Sequence, residues 1–149
     1  MILRFRAWDK RKNVMRDVAV LHFTKNGKID SIEYWINPTE LKAYHVRNIE
    51  LMQSTGLEDK NGVEIFEGDI ALITHKSTNY ADTYWHSYVE VFRAKNGAYR
   101  IRGEHIYETE LYSNRKQLTV AGNIYNSPEL LKRDRFMTTT ENPELLEVE

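Results

Sequence analysis

Residues Leu51 to Ile73 read LMQSTGLEDKNGVEIFEGDIALI, and their succession of residue types decides the fold class. Leu51-Met52-Gln53 closes an extended stretch. Glu58-Asp59-Lys60-Asn61-Gly62 is a polar turn, and its Asn-Gly pair tolerates the positive φ that a tight hairpin demands. A short apolar segment follows, then the tight acidic turn Glu67-Gly68-Asp69. Ile70-Ala71-Leu72-Ile73 has the branched, apolar character of a buried strand. Strands and Gly turns alternating at this spacing mark an all-β chain.

The same grammar continues outward. Downstream, Ile70 to Thr74, Tyr84 to Ala94, Ala98 to Arg102, Ile106 to Tyr112 and Leu118 to Tyr125 all read as strands. The second and third of these flank a Lys95-Asn96-Gly97 hairpin turn. Upstream, Ile2 to Trp8 alternates, with Leu3, Phe5 and Ala7 on one side and Arg4, Arg6 and Trp8 on the other. Met15 to Phe23 and Ile29 to Ile36 make two more strands around Lys25-Asn26-Gly27. Asn37-Pro38-Thr39-Glu40 has the form of a helix start, with Leu41, Tyr44 and His45 on one face of a short helix. Val46 to Gln53 reads as extended. Ser127-Pro128-Glu129-Leu130-Leu131 predicts a capped helix. The pattern recurs at Asn142-Pro143-Glu144-Leu145-Leu146, as a second helix or a frayed tail. Five short strands after Glu67 suit a small SH3-like β-barrel. The chain is therefore expected to be mainly β. A β-meander lobe spans 1–50, an SH3-like barrel with a short closing helix spans 51–131, and a tail covers 132–149.

Composition removes several classes of function. The 149 residues include no cysteine, which rules out disulfides, thiolate catalysis and cysteine-ligated zinc. Apolar runs stop at four residues, as in Val18 to Leu21, far below the roughly 18 that a membrane span needs. The start, MILRFRAWDKRK, carries charge where a secretion signal has its apolar core. A cytoplasmic location is the expectation. Net charge is -1, so the chain is not basic as a whole. Its charge is uneven, however. Residues 1–50 carry ten Lys/Arg against six Asp/Glu, and residues 128–149 carry three against six.

Phe5-Arg6-Ala7-Trp8-Asp9, Leu51-Met52-Gln53 with Thr55-Gly56-Leu57, Asp59 with Asn61-Gly62, Glu67-Gly68-Asp69-Ile70, and Gly122-Asn123-Ile124-Tyr125 with Pro128-Glu129-Leu130-Leu131 occur in this order. Together they resemble the YopX family of bacteriophage and prophage proteins, over about residues 3–131. The resemblance implies a β-rich fold with an SH3-like barrel in its C-terminal part, and a phage product acting inside the cell. It supplies no established activity. Lys132 to Glu149 lies beyond the family pattern.

Candidate chemistry is sparse. Asp59, Asn61, Glu64, Glu67 and Asp69 bring five oxygen-bearing side chains into eleven residues. A calcium loop of EF-hand type fails at once, because Val63 and Glu64 stand at its fifth and sixth positions. Turn chemistry explains these residues better: Asp and Asn cap backbone N–H groups, and Gly56, Gly62 and Gly68 supply unusual φ. Gly56, Asp59, Gly62, Glu67, Gly68, Asp69, Gly122, Asn123 and Tyr125 are thus expected to be structural. His75 and His86, with Asp82 near, form a weak His-His-carboxylate metal candidate across a hairpin. No metal and no cofactor is expected. Glu104, Glu108 and Glu110 read as a solvated strand face.

The better lead for a site is the basic N-terminus. Arg4, Arg6, Lys10, Arg11, Lys12 and Arg16 fall within sixteen residues, with Trp8 among them. Arg4, Arg6 and Trp8 on one strand face would hold phosphates and stack a base. The plainer reading is a charged hairpin that protects a sheet edge, with Trp8 in the core or at an interface. A second surface combines Tyr80, Tyr84, Trp85 and Tyr88 with Arg100 and Arg102. The leading expectation is a non-enzymatic binding or assembly module whose partner is another protein or a second copy of the chain. The alternative is nucleic-acid binding through Arg4, Arg6, Trp8, Lys10, Arg11 and Lys12. A metal-dependent hydrolase is the third class.

Overall fold

The computed structural model describes residues 4–143. The chain divides into two compact units, Met1–Gly56 and Leu57–Glu149. In the first, β1 (Phe5–Asp9), β2 (Val14–Phe23), β3 (Ile29–Asn37), β4 (Glu40–His45) and β5 (Ile49–Glu58) pair in the order β4-β3-β2-β1-β5, with β5 ending two residues into the second unit. The expected meander is present. Its β2–β3 hairpin closes at Gly27, where φ is +81° and the Gly27 N–H donates to the Thr24 carbonyl at 2.9 Å.

The helix expected after Pro38 is a strand instead. β4 pairs antiparallel with β3, with Trp35 opposite Leu41 and Ile32 opposite Tyr44. The cause is local. Asn37 Oδ1 accepts from the Thr39 N–H at 3.0 Å and from the Thr39 hydroxyl at 3.1 Å. That Asx turn reverses the chain where a helix would have continued it. Tyr44 then packs its ring on Tyr34, 5.2 Å between centroids, in a core of Ala7, Ile32, Tyr34, Tyr44 and Ile49.

The second unit holds β6 (Glu64–Phe66), β7 (Asp69–Lys76), β8 (Tyr84–Arg93), β9 (Tyr99–Gly103), β10 (Ile106–Glu110), a one-turn helix α1 (Leu111–Asn114), β11 (Leu118–Asn123) and β12 (Phe136–Thr138). Its sheet runs β10-β9-β8-β7-β11, with β12 added to β8. Ala71 and Ile73 of β7, Val89 and Val91 of β8, and Ile101 of β9 are alternate residues on one sheet face. With Ile65, Leu111 and Leu118 they form the core, each large side chain contributing about 1.5–3 kcal/mol by leaving water.

All five expected barrel strands exist, but the sheet is open and not a closed SH3-like barrel. Among the described residues β10 pairs with β9 and β11 with β7, and the two edges do not meet. β10 is short, and its register breaks between Ile106 and Thr109, so it offers little straight edge for closure. The predicted closing helix is a 3₁₀ turn, Pro128–Lys132. The second predicted helix, from Asn142 onward, falls mostly outside the described residues.

In the acidic turns of the opening stretch Asp59 and Asp69 bond backbone N–H groups. Asp59 is buried. Its Oδ1 accepts from the N–H groups of Asn61 (2.8 Å) and Val63 (2.9 Å), and its Oδ2 from that of Val120 (2.9 Å). One carboxylate therefore shapes the Asn61-Gly62 turn and fastens it to β11. Asp69, fully buried, accepts from the Phe66 N–H at 2.7 Å. Between them Gly68, at φ +84°, donates to the Val91 carbonyl and accepts from the Ile124 N–H, so its N–H and its carbonyl both tie the turn to neighbouring segments. Asn123 Oδ1 takes the N–H groups of Tyr125 and Asn126, each at 2.9 Å.

Candidate functional site

β1 carries the basic N-terminal stretch between β2 and β5, with Trp8 opposite Met15 on one side and Glu50 on the other. The end of β1 is covered on both faces: Ala7, Trp8 and Asp9 are all buried, Trp8 at 8% exposure. Trp8 thus presents no face on which a base could stack. Arg6 is half-buried, and its Nη2 approaches Met52 Sδ at 3.6 Å. The expected coplanar row of Arg4, Arg6 and Trp8 is not an exposed surface.

What stands there is a polar cluster built on Asp9. This fully buried carboxylate accepts from the Arg11 N–H (3.0 Å) and the Lys12 N–H (3.2 Å) through Oδ1. Its Oδ2 lies 3.5 Å from Arg16 Nη2. Asn13, at φ +55°, closes the turn by donating to the Asp9 carbonyl at 2.8 Å. The Arg16 guanidinium stands 4.7 Å over the Tyr34 ring, and that of Arg11 4.4 Å over the Tyr44 ring. Cations over ring faces gain from the aromatic quadrupole.

Two phenols in this cluster are driven apart in acidity. Burial raises the Tyr34 pKa, and the hydrogen bond it donates to Tyr44 raises it further, against the pull of Arg16. That same bond lowers the Tyr44 pKa, because the Tyr44 oxygen is the acceptor, and Arg11 lowers it again. The remaining cations face outward. Arg4 stands 3.7 Å from Asp17 and Lys10 3.2 Å from Glu50, both exposed pairs of small energetic weight. The Lys12 side chain is exposed.

A second feature of this unit had no signal in the sequence, where β4 reads as a helix. β4 is the edge strand, and the β3–β4 hairpin exposes large apolar side chains: Trp35 at 45%, Ile36 at 44% and Leu41 at 40%. Trp35 and Leu41 are direct cross-strand partners and therefore share one face.

In the second unit the aromatic surface is covered by the chain's own arginines. Arg135 lies 4.3 Å over Trp85, Arg133 5.4 Å over Tyr88, and Arg102 4.0 Å over Phe92; Tyr80 stays exposed. His75 and His86 do not share a site. His86 is opposite Thr74 in the ladder and fully buried, whereas His75 is opposite Trp85 and exposed, on the other sheet face. Among the described residues no three His, Asp or Glu side chains come together as a metal site. Nor is any helix of the described residues long and apolar enough to cross a membrane.

The fold has a solved relative. The crystal structure of protein EF1440 from Enterococcus faecalis is similar at a TM-score of 0.62 and 28% identity, covering 88% of this chain and 99% of that one. The SAWADEE domain of SHH1 from Arabidopsis thaliana matches at a TM-score of 0.27 and 15% identity, covering 83% and 99%, too low a score to bear on the fold. No curated protein matches the chain. The family model described as YopX protein matches residues 4–132, which takes in the Asp9 cluster, both acidic turns and β11. The chain belongs to the YopX family.

Proposed function

We propose that this chain is a non-enzymatic binding module of a phage or prophage, working in the bacterial cytoplasm, and that it assembles with a second copy of itself through β4. The observation that carries this is the exposed Trp35–Leu41 pair on an edge hairpin. Natural sheets blunt their edges with charge, proline or cover, and apolar aromatic side chains left on an edge belong to interfaces. β4 is also self-complementary. An antiparallel pairing centred between Lys42 and Ala43 sets Glu40 against the second copy's His45 and Leu41 against its Tyr44, so no like charges meet. A binding role also fits the polar side chains, since Asp9, Asp59, Asp69 and Asn123 all serve backbone N–H groups. In the second unit, β7 to β10 form a meander and β11 returns beside β7. We read that order as an SH3-like module with its edges left apart.

Light scattering at micromolar concentration tests the assembly. A dimer that becomes monomeric in Trp35→Ser/Leu41→Ser supports it. A pure monomer overturns it, and affinity capture from infected host lysate then tests for a different protein partner.

Nucleic acid on the first unit is the second reading, favoured by the exposed charges of Arg4, Lys10 and Lys12 around the β1–β2 hairpin. It requires salt-dependent retention of DNA or RNA that reversal of those three charges abolishes. Absence of retention at low salt removes it.

A further inference from the structure

The second unit contains a cavity of about 230 Å³ lined by Lys60, Thr74, Lys76, Tyr84, Lys116, Gln117 and Glu141. Its three lysines arrive from three different elements. Lys60 sits in the turn after β5, and its N–H donates to the Leu118 carbonyl at 3.1 Å, which holds the turn beside the start of β11. Lys76 ends β7, directly opposite Tyr84 in the ladder. Lys116 lies in the 3₁₀ turn Arg115–Gln117 that leads into β11. The fold thus gathers around one space three cations that are far apart in sequence.

Among the described residues these charges are not balanced by ion pairs. Among the described residues none of the three ammonium groups has a carboxylate within ion-pairing distance. Lys60 Nζ donates to neutral oxygens, the Glu141 carbonyl at 2.9 Å and Asn142 Oδ1 at 2.8 Å. Among the described residues Glu141 is the one acidic residue of the lining, which puts the described lining at a formal +2. A concave wall of one sign focuses its field into the space it encloses. Like charges gathered without a counter-ion repel, and an anion placed among them relieves that repulsion. Tyr84 and Gln117 add neutral hydrogen-bonding groups to the lining, while the Thr74 hydroxyl is engaged with His86 Nδ1 at 2.8 Å.

We propose that this cavity is a binding site for a phosphoryl anion, held by Lys60, Lys76 and Lys116. Lysine suits the task as a mobile point charge that meets phosphate oxygens from several directions. The source is either a small phosphorylated molecule or the phosphate of a nucleic-acid strand. This site is independent of the β4 edge and of the N-terminal hairpin.

The test is calorimetric titration of the full chain with pyrophosphate at low salt, followed by competition with a single-stranded oligonucleotide. Binding that weakens with added salt, and that falls about tenfold in each of Lys76→Gln and Lys116→Gln, supports the site. Neither side chain has a bonding partner among the described residues, so both variants keep the fold. Glu141→Gln, which removes the opposing charge, tightens binding, a gain that a merely structural role would not give. Reversal of Lys25, exposed in the β2–β3 turn, leaves binding unchanged. Displacement of pyrophosphate by the oligonucleotide supports the site with nucleic acid as the source; failure to displace supports it for small phosphates. No binding at low salt, or binding indifferent to Lys76 and Lys116, overturns the proposal.

Discussion

His86 Nε2 lies 2.7 Å from Thr138 Oγ1, joining β8 to a strand 52 residues further along the chain. The proton positions follow from what surrounds the pair. The Thr138 hydroxyl donates to the Thr140 carbonyl at 2.6 Å, and a carbonyl only accepts, so Thr138 Oγ1 must accept from His86 Nε2–H. In the neutral ring Nδ1 is then the acceptor, and the Thr74 hydroxyl donates to it at 2.8 Å. A buried imidazole is satisfied at both ends by threonines, and Phe136 covers its ring at 5.0 Å. β12 lies beyond residue 132, where the family match ends, so this seal is built by the chain's own extension.

Thr138→Val keeps the shape and removes the acceptor. Nε2–H is left buried without that partner, at a cost of about 1–3 kcal/mol. Thr138→Ser restores the oxygen and recovers most of the loss. Urea unfolding followed by tryptophan fluorescence measures both. Equal stability of the valine variant and the native chain would remove the seal from the account.

Asp59→Asn tests the organising turn. The carboxylate accepts three backbone N–H groups, and an amide turns an NH₂ toward one of them. The expected loss is about 3 kcal/mol, the scale of buried donors left unmet. Hydrogen exchange locates it. The amides of Asn61, Val63 and Val120 lose protection together, because one side chain holds them, while β2 and β3 in the other unit keep theirs.

The legible parts of the fold were those written in local chemistry. Asn26-Gly27, Asn61-Gly62 and Asn96-Gly97 mark their turns because Asn-Gly fits a backbone that most residues resist, and Gly27, Gly62 and Gly97 all have positive φ. β4 reads as a helix in the sequence because Asn-Pro-Thr-Glu suits both a helix start and an Asx turn; the Asn37–Thr39 bonds make it the turn, and Tyr44 stacking on Tyr34 secures the strand that follows. Alternation groups Trp8 with Arg4 and Arg6 and leaves open whether its ring stacks a base or is buried; the structure buries it. Alternation assumes one wet face, and the end of β1 has none. The three residues of β12 carry no turn signal, and their partner lies about fifty residues upstream. The Lys60, Lys76 and Lys116 cavity was invisible for the same reason: nothing in their spacing brings them together.

Gly122→Ala probes a close approach. A Cβ at residue 122 would stand 2.9 Å from both Cβ and Oγ of Ser127, so β11 or the turn after it must move. The expected cost is about 1–3 kcal/mol, as for other overpacked sites. Ser127→Gly removes both atoms. In a double-mutant cycle it recovers part of the loss, which gives a coupling energy between the two positions. Additivity would mean that Ser127 is not the obstacle.

Alkaline titration separates the tyrosines. Tyr44 accepts the Tyr34 hydrogen bond and lies beneath Arg11, so its phenolate forms below the ordinary 10.0. Burial and that same bond hold Tyr34 above 10.0; burial and the Glu67 charge do so for Tyr99, against Arg93. Phenolate absorbance therefore shows an early ionisation from Tyr44 and late ones from Tyr34 and Tyr99. Tyr44→Phe deletes the early one. Tyr34→Phe and Arg11→Gln each move it back toward 10.0, because each removes a group that favours the charged form. The sign for stability follows. Tyr34 and Tyr99 have folded pKa values above their unfolded ones, so their contribution is full below about pH 10 and is lost as pH rises through the folded values. Tyr44 is opposite: its contribution is present above its unfolded pKa and disappears as pH falls through its lowered folded value. Unfolding curves above pH 10 should therefore show Tyr99→Phe losing stability less steeply with pH than the native chain. A native and a variant curve that run parallel would mean that Tyr99 titrates alike in both states.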